Sequence, residues 1–167
     1  HLEGEEVSVY ADSSVVANTY NPSYEPVFVS QGKITLDKPY SKISIGLPYL
    51  ADIETLDIDQ VDGESLADKH KLITEVTAKV QSSLGMWVGA KPPTDDSVDA
   101  IEGLRELKER STEHYDDPTR LKTEPVDLRI TGEYNDNGRI FLRQVDPLPL
   151  TVLAVYPSGR IPTGGFK

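Results

Sequence analysis

Apolar and polar residues alternate with the two-residue period of half-buried strands over much of this chain. Val7 and Val9 alternate with polar neighbours over residues 5–11, Asp12-Ser13-Ser14 supplies a turn, and Val15 and Val16 continue the strand. The prolines and asparagines of residues 18–26 predict a loop. Residues 27–36 predict two strands joined at Gly32, or one strand with a bulge. Residues 41–47 alternate through Ile43, Ile45 and Leu47, and residues 53–58 alternate briefly. The clearest alternation spans residues 69–82. It places Leu72, Thr74, Val76, Ala78 and Val80 on one face, with Lys71, Ile73, Glu75, Thr77 and Lys79 on the other. A strand of that length is expected to bend or to be shared between two sheets. Residues 84–89 follow and carry the single Trp and the single Met.

The period changes after Ala90. Asp95-Asp96-Ser97 has the form of a helix start, and Val98, Ile101, Leu104 and Leu107 make one apolar stripe. A short helix is therefore expected within residues 95–110, weakened at Gly103 by about 1 kcal/mol relative to alanine. Residues 111–125 are charged and irregular, so 90–125 reads as a helical and loop insertion. Asn135, Asp136, Asn137 and Gly138 tolerate positive φ and predict a hairpin turn. Beyond it, Ile140 and Leu142 alternate with Phe141 and Arg143, the pattern of a strand with one buried face. Pro147 and Pro149 predict a break, and residues 150–156 predict a strand covered on both faces. The sum is an all-β fold: an antiparallel β-sandwich or partly open barrel with one short helical insertion, in a single domain over residues 1–167.

A chain of 167 residues buries a full core without staples, and without cysteine it has no disulfide or thiolate metal site. No apolar run reaches the 18 residues of a bilayer span. The chain opens at His1 with no signal-peptide pattern, which suggests a domain excised from a longer protein. Its 17 Lys and Arg against 28 Asp and Glu give a net charge of −11, unfavourable for nonspecific attraction to phosphate.

Candidate chemistry is sparse. His1, His70 and His114 have no metal-binding spacing, and a polar contact is the expected role of His70. No Gly-rich phosphate loop or Gly-x-Ser-x-Gly elbow occurs, and Ser13 and Ser14 have no identifiable base. Glu133 with Asp146 is a conceivable glycosidase-like pair, a weak one among so many acids. Residues 133–144 faintly resemble a calcium loop but carry Gln144 in place of the bidentate glutamate, so a turn explains them better. Asp57, Asp59 and Asp62 depart from the calcium-loop template and read as a solvated acidic loop. Tyr10, Tyr20, Tyr24, Tyr40, Tyr49 and Trp87 could line a sugar site, though such positions more often pack the ring and leave the polar end wet. No residue is assigned a catalytic, cofactor-binding or metal-ligating role, and no cofactor is called for.

Several phrases together resemble the tail nozzle proteins of short-tailed bacteriophages, also called tail tubular protein B. They are His1-Leu2-Glu3-Gly4 with residues 7–12, Val29-Ser30-Gln31-Gly32 with residues 33–36, and Ile45-Gly46-Leu47-Pro48-Tyr49. Residues 138–144 and 146–155 are similar to a later segment of the same family. The resemblance covers about half the chain, at its two ends. It implies a virion structural protein, not an enzyme, located in the tail and assembled as a sixfold homo-oligomeric tube. Adaptor and fibre or spike proteins are its implied partners, with DNA passing through the lumen unbound. The acidic stretch 52–68 is expected to face that lumen. The alternative is a β module that binds carbohydrate on a host surface.

Overall fold

The computed structural model describes residues 1–107, 119–132 and 134–161. Four short strands open the chain: β1 (Glu6–Ala11), β2 (Ser14–Ala17), β3 (Val27–Phe28) and β4 (Ile43–Gly46). β1 is their centre and pairs antiparallel with the other three. Asp12 and Ser13 both take positive φ in the tight turn between β1 and β2. Gln31 and Gly32 do the same where Ser30 bridges Lys33, but within residues 27–36 only Val27–Phe28 is a strand, so the chain turns at Gly32 without a second strand after it. Val7, Val9 and Ala17 form this sheet's own apolar cluster, with Leu2, Val27 and Ile34 packed against it.

The remaining strands are β5 (Ala51–Glu54), β6 (Gln60–Val61), β7 (Glu64–Ser65), β8 (Leu72–Val80), β9 (Met86–Gly89), β10 (Arg105–Glu106), β11 (Pro125–Arg129), β12 (Phe141–Gln144) and β13 (Val152–Arg160). One sheet runs β11-β8-β13 and another β10-β9-β12-β5, with all pairings antiparallel, while β6 and β7 form a separate hairpin. The main core lies between the β11-β8-β13 and β10-β9-β12-β5 sheets. Val76, Ala78, Val80, Val126 and Leu128 of the first meet Met86, Val88, Ile140 and Leu142 of the second. These opposed antiparallel sheets, which do not close into a barrel, make the fold all-β and sandwich-like.

Alternation on β8 is interrupted by a bulge. Glu75 pairs Ser158 and Ile73 pairs Gly159, so Thr74 is an extra residue. The inward phase consequently shifts. Val76, Ala78 and Val80 are buried as their alternation predicts, but Ile73 is buried and Thr74 exposed. A strict two-residue period would have buried a hydroxyl and exposed an isoleucine.

Four other expectations change. Among the described residues there is no helix, and 95–107 forms successive turns leading into β10. Asp95 and Asp99 each accept a backbone N–H two residues on, from Ser97 and Ile101, and Gly103 has φ of +72°. Those side-chain bonds and the left-handed glycine favour turns over a continuous helix. The expected helix's end, 108–110, lies outside the described residues.

The turn at residues 135–138 is present, but it joins no hairpin. β11 pairs β8, whereas β12 pairs β5 and β9, so the turn carries the chain from one sheet to the other. β12 is accordingly central and buried on both faces. β13, expected to be covered on both faces, is instead an edge strand with Leu153 and Tyr156 more than half exposed. Leu153 is itself a bulge residue, and Pro157 is tolerated because β13 has a free edge.

Gly132 and Gly159 flank the start of β8, where an added Cβ would run into the carbonyl oxygens of Ile73 and Leu72 respectively. Neither glycine has positive φ, so space and not backbone conformation requires them. Gly132→Ala or Gly159→Ala is expected to lower stability by about 1–3 kcal/mol through overpacking. Urea unfolding measures this, and an unchanged midpoint in both variants would refute the close approach.

Candidate functional site

Arg143 is the most heavily bonded side chain on the outer face of β12. Its Nε and Nη2 donate to both carboxylate oxygens of Asp52 on β5, each at 2.7 Å. Nη1 donates to Asp96 at 2.5 Å and to the Ala100 carbonyl at 2.8 Å. The guanidinium lies 5.1 Å from the Phe141 ring centroid, and the side chain is only 3% exposed. Hydrogen bonding to Asp52 raises its pKa further, so it remains a cation at every relevant pH. Nearby, Arg139 binds Glu54 and Asp57. The acidic stretch 52–68 is thus partly neutralised by two arginines from β12 and the residues before it.

A second buried polar node joins the first sheet's loop to the end of β12. Asp146 is 3% exposed and accepts from Asn18 Nδ2 at 2.8 Å and from Asn21 Nδ2 at 3.1 Å. Asn18 Nδ2 also donates to the Val145 carbonyl at 2.7 Å. Burial pushes the Asp146 carboxyl up, against the hydrogen bonds from Asn18 and Asn21. The Trp87 indole also favours the ionised carboxyl, but its N–H falls outside hydrogen-bond geometry. Trp87, Leu104, Phe141 and Val145 form the apolar cluster beside this node, with Tyr20, Leu50 and Ile101 against it. Lys71 is also buried. Its Nζ donates to the Asp136 carbonyl, which ties the residue before β8 to the 135–138 turn.

The other sequence candidates do not converge. His70 Nδ1 meets Asp136 Oδ1 at 2.7 Å on the surface, the polar contact expected of it. Asp57 is bonded by Arg139, Asp59 gives its carbonyl to the Leu66 N–H, and Asp62 sits in the β6–β7 turn with φ of +50°. Among the described residues no three acids or histidines come together as a metal site. Asn135 Oδ1 accepts from the Asn137 and Gly138 N–H groups, a turn bond in place of metal ligation. Ser14 donates to the Ala11 carbonyl within its own turn. Glu133 lies outside the described residues, so its pairing with Asp146 is not described. The aromatic residues are dispersed. Trp87 and Tyr20 pack inward, Tyr40 donates to Asp37, and Tyr49 is exposed.

Two surface features were not anticipated. Ile43, Ile45, Leu47 and Tyr49 are 44%, 46%, 56% and 61% exposed, followed by Ile53 at 50% and Leu56 at 87%. β4 pairs only β1 and β5 pairs only β12, so this row follows two free sheet edges. The second feature is a cleft of about 560 Å³ lined by segments 90–94 and 102–105 with Thr131, Tyr134 and Asn135. Alternation over 41–47 marked the first as a strand but not its outward face, and nothing local joins the three cleft segments. Among the described residues no helix is long and apolar enough to cross a membrane. Comparison with protein-family models and with curated proteins finds no match.

Arg143→Ala is expected to lower stability by about 2–3 kcal/mol, below the fully buried range because Asp52 and Asp96 stay partly solvated. Arg143→Lys should restore little of it, lacking the planar fork. A double-mutant cycle with Asp52→Asn in urea checks the coupling, and additive losses would refute it.

For Asp146 the folded pKa lies above the unfolded one, so the folded state holds its proton more tightly. The carboxyl's contribution is therefore most favourable below the ordinary aspartate value of 3.8 and declines as pH rises through the raised folded value. The stability difference between wild type and Asp146→Asn should shrink over that rise, measured by urea unfolding at successive pH values. A difference that grows would show that Asn18 and Asn21 outweigh burial.

Proposed function

We propose that this chain is a structural module of a bacteriophage tail nozzle, working as part of a homo-oligomeric conduit for genome ejection. The observation that carries the reading is the apolar row from Ile43 to Leu56 along the free edges of β4 and β5. Soluble proteins usually blunt such edges with charge, bulges or covering elements, and an uncovered one favours association. The row includes Ile45-Gly46-Leu47-Pro48-Tyr49, one of the phrases that carry the family resemblance. The acidic surface adds support, because a wall of like charge lets DNA pass without sticking. Asp59, Asp62 and Asp68 are the acids of the 52–68 stretch with no ion pair among the described residues, so they are the lumen candidates. Sixfold symmetry, the adaptor and fibre or spike partners and location in the virion tail belong to the same proposal.

Electron microscopy of the full-length protein, purified alone and within particles, tests it. Sixfold rings or a tube at the tail tip are expected. Ile45→Asp with Leu47→Asp should disperse the rings while leaving the melting temperature of each subunit within a few degrees, since both side chains are about half exposed. A monodisperse monomer absent from any particle would overturn the proposal. Rings that survive the double substitution would remove the β4 edge from it.

A further inference from the structure

The cleft beside β10 differs in charge from the surface around it. Its volume of about 560 Å³ falls within the ~300–1,000 Å³ of small-molecule sites. Pro92 and Leu104 supply apolar lining, and Tyr134 contributes a half-exposed aromatic side chain. Lys91 and Arg105 bring two cations, neither of which has an ion pair among the described residues. The described lining thus carries more cations than acids, in a chain of net charge −11.

Arg105 is held in place. It lies on β10, paired with Val88 of β9, and its Nη2 donates to Thr131 Oγ1 at 3.3 Å. One side of the guanidinium is thereby fixed while its other N–H groups remain available to an acceptor. Glu102 is the one acid among the described lining residues, and it accepts the Thr94 backbone N–H at 3.4 Å. That bond draws its carboxylate toward the 90–94 loop.

A simple inorganic anion would satisfy the cations and leave the tyrosine and the apolar lining unused. A neutral apolar ligand would cover the two cations without pairing them, which is costly. A pyranose bearing a carboxylate meets both demands. Its C–H face suits the negative face of the Tyr134 ring, and its carboxylate suits the Arg105 fork. We propose that this cleft binds an acidic sugar, a uronic or sialic acid unit of a polysaccharide. The site is separate from the β4–β5 edge and does not rest on the assembly proposed above.

Amide chemical-shift titration of the protein tests it, using uronic acid oligosaccharides, sialic acid oligosaccharides, neutral dextran oligomers and inorganic phosphate as probes. One of the acidic sugars is expected to bind, with shifts concentrated in residues 90–94 and 102–105 and at Thr131, Tyr134 and Asn135. Arg105→Ala should weaken that binding about tenfold, the loss of one charge-assisted contact. Tyr134→Ala should weaken it several-fold, and both variants should keep the wild-type melting temperature because the side chains are exposed. Arg105→Gln, which keeps the length of the side chain without its charge, should fall with Arg105→Ala. The proposal is overturned if neither acidic sugar binds better than dextran. It is equally overturned if phosphate alone reproduces the shifts at the same affinity, or if Arg105→Ala leaves affinity unchanged.

Discussion

A buried guanidinium on a central strand constrains what surrounds it. Arg143 points away from the main core onto the outer face of its sheet, where it reaches Asp52 on β5, Asp96 in the turn segment and the Ala100 carbonyl. Removed from water, its planar fork is satisfied only if all these partners stay in place. The edge strand and the 95–107 turns are therefore held against β12 by a directional network as well as by apolar contact. Phe141, Trp87 and Leu104 close the same face beside it. The Asp146 node then docks the Asn18–Asn21 loop of the first sheet onto the far end of this surface.

This network also shapes the exterior. Asp52 and Glu54 alternate with Ile53 along β5, and Arg143 of β12 and Arg139 just before it engage both acids. The charges that would ordinarily guard an edge strand are thus committed within the sheet, while Ile53 is left half exposed. A strongly acidic chain in this way presents an apolar row along β4 and β5. The two cleft cations, without an ion pair among the described residues, lie on different segments, 90–94 and 102–105. Net charge describes the average surface. It does not describe these two places.

Most strands were legible from alternation, because side-chain direction along a strand is local. β1, β4, β8 and β12 all lie within the stretches where the period is two. Turns were legible for the same reason. Asp12, Gly32 and Gly138 adopt the positive φ that their residue types tolerate. The 95–107 segment was misread because an apolar spacing of three and four residues also suits turns that drop Ile101 and Leu104 into one cluster. The candidate surfaces were scarcely legible. Arg143 and Asp52 are 91 positions apart, and the cleft draws on segments more than 25 positions apart.

By itself, then, the sequence determined an all-β chain, several of its turns, its acidic balance and its lack of cysteine, each a property of neighbouring residues or of composition. The tertiary structure alone decided which strands pair, which edges stay open and where the inward phase slips. It placed β12 at the centre and β13 at the edge, the reverse of the exposures their hydrophobicity suggested. Strand pairing joins residues far apart in the chain, and a single extra residue at Thr74 exchanges the two faces of a strand. Neither effect leaves a mark in any short window of sequence.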